Sequence, residues 1–334
     1  MFSEKGIEAK INMRNLVIVP GDIIQDYEII EEIGRGGFAT VFKVRHIRCH
    51  IIYAAKFIFM NENELEKGKS SFERETQSLM NIDHPNIIKL YQSFQYLTSY
   101  VLILEYCSGG TLNDEIKRYG NLSPEKFHSV ASSLTRAIGY LHGLGISHQD
   151  IKPQNILFDT MGRPKISDFG ISVRTILNER IQSLGFSPKY SAPEQQKCLF
   201  HCPFKADIWS LGLTFFFMVS GIEPTVQQSS DTLSLFQMLN WHFMKGTIPH
   251  QIRSVIKTMV RINPDDRITI NDLASLLSSF DIESDSSETP TPLNRKVSRS
   301  TTNLKKTSLI LMQNSHLNLR RKKQNDLFPI ETFG

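Results

Sequence analysis

The chain of 334 residues contains no apolar run near the length of about 20 that a membrane-spanning helix needs. Its best candidate, Leu211 to Val219, is too short and follows Trp209-Ser210, so it reads as a buried helix. The opening MFSEKGIEAKINMRNLVIVPGD lacks an adequate signal-peptide apolar core and a small-residue cleavage site. These absences are read as favouring the cytosol. Cysteine is scarce, at four residues. Cys198 and Cys202 flank His201, and Cys49 lies between His46 and His50, but neither group has zinc-ribbon or finger spacing. Reduced, ordinary thiols are the expectation. Acidic residues are missing from Arg295 to Lys323, which holds nine Lys/Arg. Elsewhere 29 basic residues face 34 acidic ones, a net of −5, so the overall +4 belongs to a tail. The main body shows no sign of a nucleic-acid-binding surface.

What is present divides the chain unevenly. Residues 1–26 form a short N-terminal extension. From Tyr27, "YEIIEEIGRGGFATVFKVRH" and "IIYAAKFIFM" alternate apolar and polar residues around a Gly-rich turn, a strand pattern. "LEKGKSSFERETQSLM" reads as a helix with Phe72, Leu79 and Met80 on its inner side. Two more strands, "IIKLYQSFQ" and "YVLILEYC", end at Ser108-Gly109-Gly110. Long helical segments then dominate, such as "SPEKFHSVASSLTRAIGYLHGLG" with Ser123 and Pro124 as start signals. The gross plan is a small β-rich half, a hinge and a larger helical half. After about Asp281 the sequence turns rich in Ser, Thr and Pro, a composition that predicts disorder over 281–334.

The central "SHQDIKPQNIL" packs Asp150, Lys152 and Asn155 into six residues of a tight loop. Upstream, "GRGGFATV" joins two strands; glycine there lets backbone N–H groups approach phosphates without a side chain in the way. It is no Rossmann fingerprint, since a strand follows, and no Walker A loop, which needs Gly-Lys-Ser/Thr. Lys56 closes "YAAK" on the next strand, and Glu75 on the following helix is placed to hold that ammonium against phosphate oxygens.

In order, "GRGGFATV", "YAAK", Glu75 ten residues before the proline of "DHPNII", "HQDIKPQN", "DFG", "APE" and "DIWSLG" resemble the eukaryotic protein-kinase signature set. The resemblance spans about Tyr27 to Phe280. It implies an α+β, two-lobed kinase fold: a β-rich N-lobe with one key helix (27–104), a hinge (105–110) and a larger helical C-lobe (111–280). It also implies ATP and Mg²⁺ as substrate and cofactor, with protein Ser/Thr hydroxyls as acceptors. By that resemblance Lys56, oriented by Glu75, would hold the α/β-phosphates. Asp168 and Asn155 would hold metal, and Asp150 would take or orient the substrate hydroxyl proton. Lys152 would neutralise the moving phosphoryl and points to Ser/Thr rather than Tyr. The nucleotide would lie against Ile33, Gly34, Arg35, Gly36, Gly37, Phe38, Ala39 and Thr40. Val41, Ala54 and Leu157 would sandwich the base, Leu104 would guard the rear of its pocket, and Glu105 to Cys107 would form the hinge. Leu79, Leu90, His148 and Phe169 match a stacked spine, Glu194 and Arg267 a buried ion pair, and Asp207 an anchor of the catalytic loop.

Three departures carry expectations of their own. Gln149 replaces the arginine that in the family clamps a phosphate on the activation segment, so control through that clamp is not expected. Arg174 or Lys189 is the alternative source of positive charge. Ala39 stands where a third glycine is common, and Ser187 where a threonine usually meets the catalytic loop. Thr111, Gln154 and Phe217 occupy places that are acidic in arginine-directed relatives, which argues against that preference. The competing reading of the whole is a pseudokinase scaffold, a nucleotide-binding interaction module without transfer; intact Lys56, Glu75, Asp150, Asn155 and Asp168 count against it. In look the chain is closest to the calcium/calmodulin-dependent group. The stretch 303–323, basic at both ends and apolar inside, suits calmodulin, an anionic membrane, an autoinhibitory contact with the kinase domain, or a solvated tail. "RRKK" adds a nuclear-import patch to the cytoplasmic expectation.

Overall fold

The computed structural model describes residues 11–12, 15–16, 18–36, 39–59, 65–176, 179–182, 185, 187–197, 200–224 and 232–280. The chain divides into two units, Met1–Ile282 and Glu283–Gly334. The second unit, with the basic stretch 303–323, lies outside the described residues, as do Gly37, Phe38, Ser183 and Cys198.

A short antiparallel pair, β1 (Ile11–Asn12) and β2 (Asn15–Leu16), precedes the main sheet. That sheet opens at β3 (Ile23–Ile24), ahead of the Tyr27 at which the sequence pattern begins, because Ile23 and Ile24 pair with Glu28 and Tyr27. It continues through β4 (Tyr27–Arg35), β5 (Ala39–His46) and β6 (Ile52–Phe59), passes α1 (Leu65–Leu79), and closes with β7 (Leu90–Tyr96) and β8 (Ser99–Glu105). All pairings are antiparallel, in the order β3-β4-β5-β6-β8-β7.

Side chains alternate across these strands, so each strand feeds two cores. Ala55, Phe57, Val101 and Ile103 join Ile29, Phe42 and Val44 on one face. Their neighbours Ala54, Ile58, Leu102 and Leu104 face the other way, into the large core shared with Leu79 of α1 and the helical lobe. Of the three residues expected on the inner side of α1, Leu79 is buried and Phe72 stacks on Tyr100. Met80 is 70% exposed, since the helix ends at Leu79 and its periodicity ends with it.

The helical lobe comprises α2 (Leu112–Tyr119), α3 (Pro124–Gly143), the short strands β9 (Ile146–Ser147), β10 (Ile156–Phe158), β11 (Pro164–Ile166) and β12 (Val173–Arg174), then α4 (Pro193–Gln196), α5 (Pro203–Ser220), α6 (Thr232–Met244), α7 (His250–Met259) and α8 (Ile270–Ser278). Ser123 caps α3 by accepting the Lys126 N–H, with Pro124 at the first helical position. Leu211–Val219 lies within α5, apolar on all sides and buried throughout. Among the described residues no helix is long and apolar enough to cross a membrane. The catalytic-loop sequence sits between β9 and β10, held by the pairings of β9 with β12 and of β10 with β11.

Candidate active site

A cleft of about 660 Å³ is lined by both lobes. Ile33, Gly34, Arg35, Gly36, Ala39 and Val41 line it from β4, β5 and their connection, where Gly36 N–H donates to the Ala39 carbonyl at 2.7 Å. Ala54, Lys56, Glu75, Leu104, Glu105, Tyr106, Cys107, Leu157, Asp150 and Asp168 complete the part of the lining that the sequence anticipated, whereas Lys152 and Asn155 stand behind it on Asp150. Thr40 does not line the cleft: it points from the opposite side of β5 and is buried at 2% exposure. Strand alternation turns its side chain away and leaves only its backbone to meet a nucleotide. The Glu105 side chain does not turn to the cleft alone; it forms an ion pair with Lys165 at 2.7 Å. Burial first, and the Glu105 carboxylate second, push the Cys107 thiol up to about 12, which makes it a poor nucleophile.

Lys56 Nζ lies 2.7 Å from Glu75 Oε2 and 2.7 Å from Asp168 Oδ1, so β6, α1 and the segment after β11 meet at one ammonium. Burial disfavours the charged lysine, but Asp168 and Glu75 more than offset this and raise its pKa. Lys56 in turn holds the Asp168 carboxyl down at about 2, outweighing the partial desolvation of that carboxyl within the cleft. Burial pushes the Glu75 carboxyl up, and Lys56 pulls it back. Two contacts from α1 fix this geometry. Arg74 Nε donates to the Gly170 carbonyl at 3.0 Å, and Ser78 Oγ lies 2.7 Å from Ser172 Oγ. A Cβ on Gly170 would come within 2.6 Å of Ser71 Oγ, so the Ser71 hydroxyl would have to turn aside to admit one.

The second cluster is built on the loop after β9. Asp150 Oδ2 accepts Lys152 Nζ at 2.6 Å and Asn155 Nδ2 at 3.0 Å, and Asp150 Oδ1 accepts Ser187 Oγ at 2.6 Å. Lys152 Nζ also reaches Ser187 Oγ at 2.9 Å, so serine serves both partners expected of it. Asp207, wholly buried on α5, anchors the loop. Its Oδ2 accepts Ser147 Oγ at 2.8 Å and the His148 N–H at 2.8 Å, and its Oδ1 accepts the Gln149 N–H at 2.8 Å. His148 packs on Phe169 with ring centroids 4.7 Å apart. Gln149 and Asp168 both adopt left-handed backbone, φ 68° and 65°, a conformation uncommon among non-glycine residues.

The donor set fits a nucleotide with a hard cation. Asn155 turns Nδ2 to both the carbonyl and the carboxylate of Asp150, which presents its amide oxygen on the opposite side. Asp168 keeps 45% of its side chain open to solvent at the cleft. Among the described residues no cluster of three or more His, Cys, Asp or Glu could hold a metal alone. One amide oxygen and one carboxylate oxygen suit magnesium, which takes one or two protein oxygens and completes its shell with phosphate and water.

A family model described as protein kinase domain matches residues 27–276. The chain is 32% identical over 250 residues to Aurora kinase C of Mus musculus, covering 74% of this chain and 89% of that protein. It is 31% identical over 269 residues to the serine/threonine-protein kinase CG17528 of Drosophila melanogaster, covering 76% of this chain but 35% of that protein. Sperm motility kinase 2B of Mus musculus is 31% identical over 247 residues, covering 73% of this chain and 50% of that protein. The two-lobed α+β fold and the match over residues 27–276 place the chain among the ATP-dependent phosphotransferases. The chain belongs to the protein kinase family and is a Ser/Thr protein kinase, with ATP and Mg²⁺ as the family's substrate and cofactor. These relatives support the Ser/Thr kinases as a whole rather than a calcium/calmodulin-dependent subgroup.

Sequence reasoning missed Arg74, Ser172, Ser147, Gln195 and His201. Ser147 opens the quoted loop and the others lie outside the motifs, and each has a partner that only the folded chain brings near, such as Asp207 for Ser147.

Proposed function

We propose that Asp150 receives the proton of the substrate Ser/Thr hydroxyl while Lys152 draws charge off the moving phosphoryl group. The convergence of Lys152, Asn155 and Ser187 on the two oxygens of Asp150 carries this reading. Lys56, oriented by Glu75, would bind the nucleotide phosphates; Asp168 and Asn155 would hold magnesium, which would supply positive charge against the phosphates. The work of the protein is then positioning and electrostatics. The cytoplasm or nucleus is the proposed location, supported by the free thiols of Cys49, Cys107 and Cys202. A calmodulin-like partner for 303–323 rests on the sequence pattern alone.

Activity in this reading does not depend on a phosphate clamped by the residue before Asp150. Gln149 is buried, neutral and hydrogen-bonded on every side, so it offers no charge to a phosphate. Lys189, an alternative source of charge, is paired with Glu223. Thr175, a candidate acceptor in the segment, is 6% exposed and donates its hydroxyl to Glu179 at 2.6 Å. Complete phosphatase treatment is expected to leave turnover largely intact. Near-total loss, restored by phosphorylation at Thr175 or Ser183, would sink the idea.

The substrate is proposed to lack a dominant upstream arginine. Thr111 caps α2, Gln154 is held by Asn113 at 3.4 Å, and Phe217 is buried in α5. The nearest carboxylates are already engaged, Asp114 in the α2 cap and Glu115 by Lys126. A positional peptide library should return no strong arginine selection at any upstream position, and a single dominant arginine would overturn this.

A further inference from the structure

Gln149 is a primary amide with all of its hydrogen-bonding capacity in use. Its Nε2 donates to Ser147 Oγ at 2.6 Å and to the Pro203 carbonyl at 3.0 Å. Its Oε1 accepts Gln195 Nε2 at 3.0 Å and lies 3.3 Å from His201 Nε2. Gln195 is itself fully buried and faces two ways: its Oε1 accepts the Ala192 N–H at 3.0 Å, which opens α4, while its Nε2 holds Gln149. His201 is tied through its backbone to Ile181, in the segment after Asp168, by two bonds of 3.0 Å. The backbone of Gln149 is left-handed, and the residue that follows it is Asp150.

We propose that Gln195 is a positioning residue for phosphoryl transfer. Its amide fixes Gln149, and through that left-handed residue the aim of Asp150, while tying the catalytic loop to the start of α4. Three properties favour an amide over a charged group here. It supplies a donor and an acceptor from one side chain, it carries no charge to desolvate, and its bonds are directional in a dry interior. The loop is thereby held by groups built into the chain, without a charge that must be added. This inference rests on the reading of Asp150 as the proton acceptor.

Two substitutions in the full-length protein separate positioning from packing. Gln195→Glu keeps an acceptor for the Ala192 N–H but sets a carboxylate oxygen against Gln149 Oε1. Gln195→Met removes both bonds at nearly constant volume. Turnover is measured per molecule competent to bind ATP, counted by nucleotide titration, beside Asp150→Asn. Both Gln195 variants are expected to lose roughly 10- to 100-fold in kcat, the scale of a slightly misplaced reacting group. KM for ATP should stay within about twofold, since uniform binding is untouched. The proposal is overturned if either variant keeps kcat near wild type, or if the loss falls on the ATP KM. Failure of both variants to give ATP-binding protein would assign Gln195 to the fold alone and overturn it too. Asp150→Asn retaining turnover would remove the underlying reading, and this inference with it, an outcome seen in that arm alone.

Discussion

Asp150→Asn is expected to lower phosphoryl transfer by roughly 10²- to 10⁴-fold, the range general acid–base groups contribute. The wild-type carboxylate accepts three hydrogen bonds, from Lys152 and Asn155 on Oδ2 and from Ser187 on Oδ1. An asparagine presents one oxygen and one NH₂ group. With its NH₂ in the place of Oδ2 a donor faces the Lys152 and Asn155 nitrogens; turned the other way, it can donate to Ser187 Oγ, whose hydroxyl then loses the acceptor it had. The substitution also removes the only group in the cluster able to take a proton from a substrate hydroxyl. Lys56, Glu75 and Asp168 form a separate ion-paired cluster, so ATP affinity should survive. The measurement pairs steady-state transfer to a protein or peptide substrate with an independent titration of nucleotide binding. A variant that keeps more than about a tenth of wild-type turnover would show that the proton leaves by another route. A matched loss of ATP binding would show instead that Asp150 acts in the ground state.

The contrast between the two clusters explains how much was readable beforehand. Phosphate chemistry needs particular residue types at short spacing, so Asp150, Lys152 and Asn155 stand out within a single loop. Lys56, Glu75 and Asp168 are legible for a related reason: an ammonium aimed at phosphates needs carboxylates nearby, and the chain order of the motifs identifies which. The fold followed from strand alternation and cap residues such as Ser123, whose effects are local. Thr40 shows the limit of reading by motif: a contiguous motif suggests contiguous side-chain contacts, whereas a strand sends every second side chain to the other face. Met80 was misread because helical periodicity says nothing about where a helix stops. Gln149 was noticed only as a missing charge. What replaces that charge depends on Gln195, 46 residues on, and His201, 52 residues on, separations at which no sequence pattern connects them. Ser78 and Ser172 are hidden for the same reason, as common small polar residues distinguished only by meeting at 2.7 Å in the interior.

Glu194→Ala should produce the largest loss of stability, about 3–5 kcal/mol, the cost of leaving one half of a buried ion pair without its partner. Arg267 has no exposed side-chain surface, and Glu194 only 11%. The guanidinium meets the carboxylate through two bonds, Nη1 to Oε1 at 2.6 Å and Nη2 to Oε2 at 2.8 Å. Its remaining donors reach the carbonyls of Arg261 at 2.8 Å, Lys205 at 2.8 Å and Ile262 at 3.4 Å, and its Cζ lies 5.0 Å from the centroid of the Trp209 ring. Removing Glu194 therefore strands a cation that cannot lose its proton and cannot reach water. For a domain of this size the loss corresponds to a fall in Tm of roughly 6–20 °C. The pair Arg35–Glu32 provides the control, because exposed partners gain almost nothing from contact; Glu32→Ala should leave Tm unchanged. Adding Arg267→Met to Glu194→Ala removes the stranded charge and should recover part of the loss. Recovery stays incomplete because the carbonyls of Arg261 and Lys205 then lack their donors. Thermal unfolding of the single and double variants decides the matter. A Glu194→Ala protein as stable as wild type would mean the pair is not buried as described. Full recovery in the double variant would mean that those carbonyls are satisfied by water.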